Sequence, residues 1–132
     1  MSSYVLDASA VLALLNNERG ADVVQSALTD ATCFMSVVNW SEVARKLVTR
    51  SLAVEPVAQT LVGLGLEFKE FDYNQAVSAA RLDAPALSLG DRACLALAQS
   101  LGVVALTADQ IWQTFTLDIP IQLIRSTLPP QF

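Results

Sequence analysis

Short, unbroken apolar runs set between stretches of helical periodicity are the feature of this sequence that most restricts its fold. YVL (4–6), CFMSVV (33–38) and VVALT (103–107) are too short for helices and lack the polar–apolar alternation of a half-exposed strand. They read as strands covered on both faces. EFKEF (67–71) alternates and reads as a further strand, and IPIQLI (119–124) as the last. Between them the periodicity predicts helices from Ser9 to Asn16, over ADVVQSALTDA (21–31), and over NWSEVARKLVTRS (39–51) with Trp40, Val43, Ala44, Leu47 and Val48 in one stripe. Further helices are expected around VAQTLVGLG after Pro56, over YNQAVSAARLDA up to Pro85, over LSLGDRACLALAQS (87–100) with Gly102 ending it, and briefly at QIWQTF. Strands alternating with helices indicate an α/β chain whose central sheet is mainly parallel and covered on both sides.

The 132 residues suit one domain, residues 1–132, with a sizeable core. Apolar residues make up 53%, a high share, yet no run approaches the ~20 residues of a membrane span. The start of the chain has no basic region and places Asp7 where a signal peptide would be greasy, so no export signal and no membrane are expected. The surplus of apolar side chains is expected to cover an interface, with a second copy or a partner. Cys33 and Cys94, far apart in apolar segments, fit free core thiols of a cytoplasmic protein. Histidine is absent, which excludes Ser-His-Asp and Cys-His mechanisms, and two cysteines are too few for a conventional zinc site.

In parallel sheets ligands bind at the carboxyl ends of strands. Asp7 follows YVL, Asp109 follows VVALT, Glu42 lies in the first turn after CFMSVV, and Asp91 opens an otherwise apolar helix. Each has a bland account. Asp7 and Asp109 could cap helices, and Asn39-x-x-Glu42 and Ser88-x-x-Asp91 both resemble capping boxes. Glu42 could also pair with Arg45 or Lys46 one turn on. Together the four acids matter more. The net charge is −5, and setting these four aside leaves nine acids against eight basic residues, so the acidity is concentrated rather than spread. If the strand edges bring them together, two charges about 4 Å apart repel by roughly 4 kcal/mol at an effective dielectric near 20. A cation or raised pKa values must relieve that. Oxygen ligands without His or Cys select Mg2+ or Mn2+.

VLDASAVLALLNNERG, SVVNWSEVARK, LSLGDRACLALAQSLG and VVALTADQIW, in that order, make the chain resemble PIN-domain nucleases over nearly its whole length. More narrowly it is similar to the VapC-type ribonuclease toxins of bacterial toxin–antitoxin pairs. The resemblance implies a three-layer α/β/α sandwich in which Asp7, Glu42, Asp91 and Asp109 line one catalytic pocket, with Asp7, Asp91 and Asp109 as the metal ligands. Glu42 would be a ligand or a water-orienting base, and Asp109 would serve a second ion. Ser9, Asn39 and Thr107 match supporting positions, although Ser9 and Asn39 could also be plain caps. Arg45, Lys46 and Arg92 flank the acids as candidate RNA contacts, whereas Arg50 reads as part of a solvated helix face. The resemblance also implies an RNA substrate cut to 5′-phosphate and 3′-hydroxyl ends, a homodimer, and a VapB-like antitoxin partner.

Two other readings fit less of the chain. A phosphoacceptor receiver needs paired acids after the first strand and a late lysine, but Asp7 stands alone and the last lysine is Lys69. A DxDxT phosphatase fails on DASAV, with Ser9 where the second acid belongs. A PIN fold kept as a catalytically silent RNA- or protein-binding module remains an alternative.

Overall fold

The computed structural model describes residues 2–126. Five parallel strands form one sheet in the order β3-β2-β1-β4-β5, with β1 (Ser3–Leu6) in the middle. Its neighbours are β2 (Thr32–Ser36) and β4 (Val104–Thr107), and β3 (Leu66–Lys69) and β5 (Ile121–Leu123) form the edges. The order reverses between β1 and β4, so a crevice opens at their carboxyl ends.

Two separate cores show that the sheet is covered on both sides. Leu6, Cys33, Met35 and Leu106 pack with side chains of α1 (Ala8–Leu15), α2 (Ala21–Asp30), α3 (Val37–Thr49) and α4 (Val54–Leu64). Val5 and Ala105 point the opposite way, into a core built by α5 (Tyr73–Ala80), α6 (Leu89–Leu101) and the 3-10 helix η1 (Gln110–Thr114). Alternate residues of one strand therefore enter different layers, as the period of two requires. The result is the expected α/β/α sandwich with an all-parallel sheet.

Several boundaries differ from the sequence expectation, each for a local reason. Val37 and Val38 begin α3 rather than ending β2, because the Ser36 hydroxyl accepts the Val38 N–H at 3.2 Å and starts the helix there. Asn39 is thus inside the helix and Asn39-x-x-Glu42 is not a capping box; Glu42 lies in the second turn. Helix α4 starts at Val54, ahead of Pro56, which a first turn tolerates because its N–H would be unpaired anyway. Helix α5 stops at Ala80, well before Pro85. Gly102 ends α6 in the left-handed region, at φ 67°. Both cysteines are free and buried, and the tail beyond Ser126 lies outside the described residues.

Candidate functional site

Asp7 is the residue that chain geometry fixes most tightly. It leaves β1 at its carboxyl end, caps α1 by accepting the Ala10 N–H at 2.9 Å, and is only 5% exposed. Two hydroxyls complete its surroundings. Ser9 donates to Oδ1 at 2.7 Å, and Thr107, the last residue of β4, donates to Oδ2 at 2.5 Å. Ser9 Oγ in turn accepts the Ala108 N–H at 2.9 Å, and Thr107 Oγ1 accepts the Asp109 N–H at 3.0 Å. The ends of the two central strands are laced together through one carboxylate. Burial raises Asp7 to about 6; the three hydrogen bonds oppose that rise, and the charge of Asp91 adds to it.

The other three acids come from helices. Asp91 and Ser88 form a full capping box at the start of α6, with Asp91 Oδ2 accepting the Ser88 N–H at 3.0 Å. Asp109 caps η1 by accepting the Ile111 N–H at 3.1 Å. Glu42 projects from α3, and partial burial raises its carboxyl; the Asn39 amide and Lys46 oppose the shift while Asp91 adds to it. Capping and convergence turn out to be compatible. All four acids, with Ser9 and Asn39, line one pocket of about 230 Å³.

Two residues hold Glu42 in place. Asn39, 1% exposed, donates through Nδ2 to Glu42 Oε1 at 3.3 Å and to the Gly90 carbonyl at 2.9 Å, which ties α3 to α6. Its Oδ1 is buried with no hydrogen-bond partner among the described residues. Gly90 was not singled out from the sequence. A Cβ there would overlap the Glu42 carboxylate, standing 2.8 Å from its Cδ, so glycine is what lets the two helices close around that group. The legible signal was a glycine inside the first turn of a helix, where it costs about 1 kcal/mol relative to alanine.

The basic residues divide. Lys46 lies one turn beyond Glu42 and is near enough to favour its charged form. Arg45 is exposed on α3 and is not part of the pocket wall. Arg92 donates to the carbonyls of Leu87 and Ala84, so it braces the loop that leads into α6.

Does the pocket suit a hard divalent ion? Its donors are oxygens throughout, one buried amide oxygen lacks a partner, and a glycine leaves room for a carboxylate. Among the described residues, however, no three acidic or cysteine side chains are grouped closely enough to form a ready cage. Mg2+ is commonly held by one or two carboxylates and keeps several waters, so the arrangement fits such an ion bound loosely around Asp7.

Comparison with known proteins accords with the fold. A toxin–antitoxin complex from Klebsiella pneumoniae superposes with a TM-score of 0.74 at 17% identity, covering 94% of this chain and 99% of that one. DNA-bound VapBC from Salmonella typhimurium gives 0.70 at 19% identity, covering 95% and 100%. Mycobacterium tuberculosis VapC20, a toxin that cleaves the sarcin-ricin loop, gives 0.64 at 15% identity, covering 84% and 93%. At these identities the likeness is one of fold. No curated protein matches the sequence. The model of the PIN domain matches residues 4–115, a span that contains both hydroxyls holding Asp7 and all four acids, and the chain belongs to the PIN-domain family.

Proposed function

We propose that this protein is a metal-dependent endoribonuclease, the toxin of a VapC-type toxin–antitoxin pair. One observation carries the reading. A carboxylate at the end of the central strand is buried, fixed by Ser9 and Thr107, and shares a pocket with Glu42, Asp91 and Asp109. Nothing in helix capping requires that burial. In the metal-free protein Asp7 keeps its proton up to about pH 6, and a cation beside it restores the charged form.

The chain's own groups have distinct parts. Asp7 offers a carboxylate fixed by three hydrogen bonds at the pocket wall, and Asp91 and Asp109 add carboxylates from the two helix starts. Glu42, braced by Asn39 and Gly90, is placed to orient water or take its proton. Mg2+ or Mn2+, when bound, supplies the charge that activates water and offsets the anionic phosphodiester.

Partners follow the same reading. Solved relatives are toxin–antitoxin complexes, which supports a VapB-like antitoxin. Val48, Leu52, Val62 and Leu64 are exposed on α3, α4 and their connection, and such surface suits that partner or a second copy in a homodimer. No helix of the described residues is long and apolar enough to cross a membrane. Buried free thiols fit the cytoplasm.

A catalytically silent binding module is the second reading. Cleavage of RNA with Mn2+, comparing the wild type with Asp7→Asn, separates the two. Cleavage by the wild type alone supports the nuclease; equal cleavage by both proteins removes this site from the reaction. Mg2+ at a hundred times its Kd should also stabilise the wild type by about 2.7 kcal/mol.

A further inference from the structure

A second pocket adjoins the acidic one and carries the opposite charge. It has a volume of about 240 Å³ and shares the lining residues Ser9 and Leu12 with its neighbour, so the two lie side by side. Three of the eight basic residues of the chain meet there, Lys46, Arg50 and Arg125. They face one carboxylate, Glu18, which takes an ion pair from Arg125 at 3.1 Å. Glu18 is held below its usual range by hydrogen bonds from Arg125 and Asn16, with Arg125 and Arg50 adding charge.

The spacing on α3 gives the pair of pockets a direction. Glu42, Lys46 and Arg50 follow one another at four-residue intervals, so Lys46 stands about 6 Å and Arg50 about 12 Å along the axis from the acidic pocket. Lys46 makes no side-chain hydrogen bond or ion pair among the described residues. Arg50 donates only to Asn16 Oδ1, at 3.3 Å. Arg125 is more firmly placed, because it also donates to the Arg19 carbonyl at 2.8 Å and so pins the turn before α2 against the end of the sheet.

We infer that Lys46, Arg50 and Arg125 form a phosphate-binding subsite for the single-stranded RNA backbone next to the scissile bond. This rests on the ribonuclease reading. An overall charge of −5 repels RNA, and four carboxylates at the point of cleavage repel it further. A cationic segment in the adjoining pocket offsets that repulsion where the strand must lie. Such contacts carry no base information, so they position the strand rather than choose its sequence.

The test uses Asp7→Asn, which leaves the RNA intact, and titrates it with a short labelled single-stranded RNA in Mg2+ at several salt concentrations. Each phosphate contact contributes about 0.7 to the slope of log K against log salt for single strands. Adding Lys46→Gln and Arg50→Gln should lower the slope by about 1.4. The advantage of the parent then shrinks about sevenfold between about 50 and about 200 mM salt. Arg81→Gln, which removes one such charge just after α5, should leave the slope alone. Glu18→Gln should tighten binding, because it removes the carboxylate that competes with phosphate; a merely structural role for Glu18 predicts the reverse. If the parent binds RNA with an unchanged slope in the double variant, the subsite is overturned and the nuclease reading stands. If the parent binds no RNA and the wild type cleaves none, the nuclease reading falls and takes the subsite with it.

Discussion

Asp7 and Asp91 line the same pocket but are held in opposite ways. Asp7 is buried, fastened by two hydroxyls and a backbone N–H, and pushed towards its neutral form. Asp91 is half-buried at a helix start, where its own capping box keeps it satisfied. Removing a charge at the first position relieves a strain, whereas removing one at the second takes away a cap. The contrast teaches that helix capping accounts for how Asp91 and Asp109 are held, but not for the burial of Asp7.

The comparison can be broken most decisively by activity. Asp7→Asn should lower RNA cleavage by more than about a hundredfold, beyond what loss of an outer-shell partner costs at metal sites. It should do so while keeping the metal-free protein as stable as the wild type or more so at pH 7, as read by urea unfolding in EDTA. A variant both inactive and much less stable would mean that Asp7 serves the fold rather than the reaction.

Metal-free stability should also depend on pH. Asp7 titrates near 6 in the folded chain and near 3.9 unfolded, so between those values the folded state keeps a proton the unfolded state has lost. Stability should therefore fall as pH rises through this window, by about 3 kcal/mol, and stay low above it. Asp7→Asn should flatten this part of the profile. A flat wild-type profile would remove the contrast between the two acids.

Gly90→Ala sharpens the comparison from the other side. The new Cβ displaces the Glu42 carboxylate, and activity should drop roughly tenfold or more. In a Glu42→Ala background the same change should have little further effect, which a double-mutant cycle reads directly. The smallest effect belongs to Asp109→Ala, where losing the η1 cap should cost about 1 kcal/mol in thermal unfolding.

The central strands were legible because their apolar runs are short, and Asp7 and Asp109 because they stand within two residues of the ends of two of them. Glu42 was legible as an acid but misplaced by a turn, since Ser36 outcompetes Asn39 for the cap and both are cap-forming types. Arg92 read as a candidate RNA contact, and only the path of the loop through Ala84 and Leu87 gives it carbonyls to bind. Arg125 and Glu18 lie 107 positions apart. Their pairing depends on where β5 ends relative to the turn before α2, which no local pattern encodes. Arg50 read as part of a solvated helix face, and it is exposed in the structure.

The opposite facing of Val5 and Leu6 has a consequence for how this protein could fail. Each anchors the strand before Asp7 in a different layer, one towards α6 and the other towards α1 and α3. A smaller side chain at either place would let the end of that strand drift without unfolding the sandwich. Heat-sensitive alleles should therefore arise deep inside, out of reach of solvent, and lose their bite before they lose their shape.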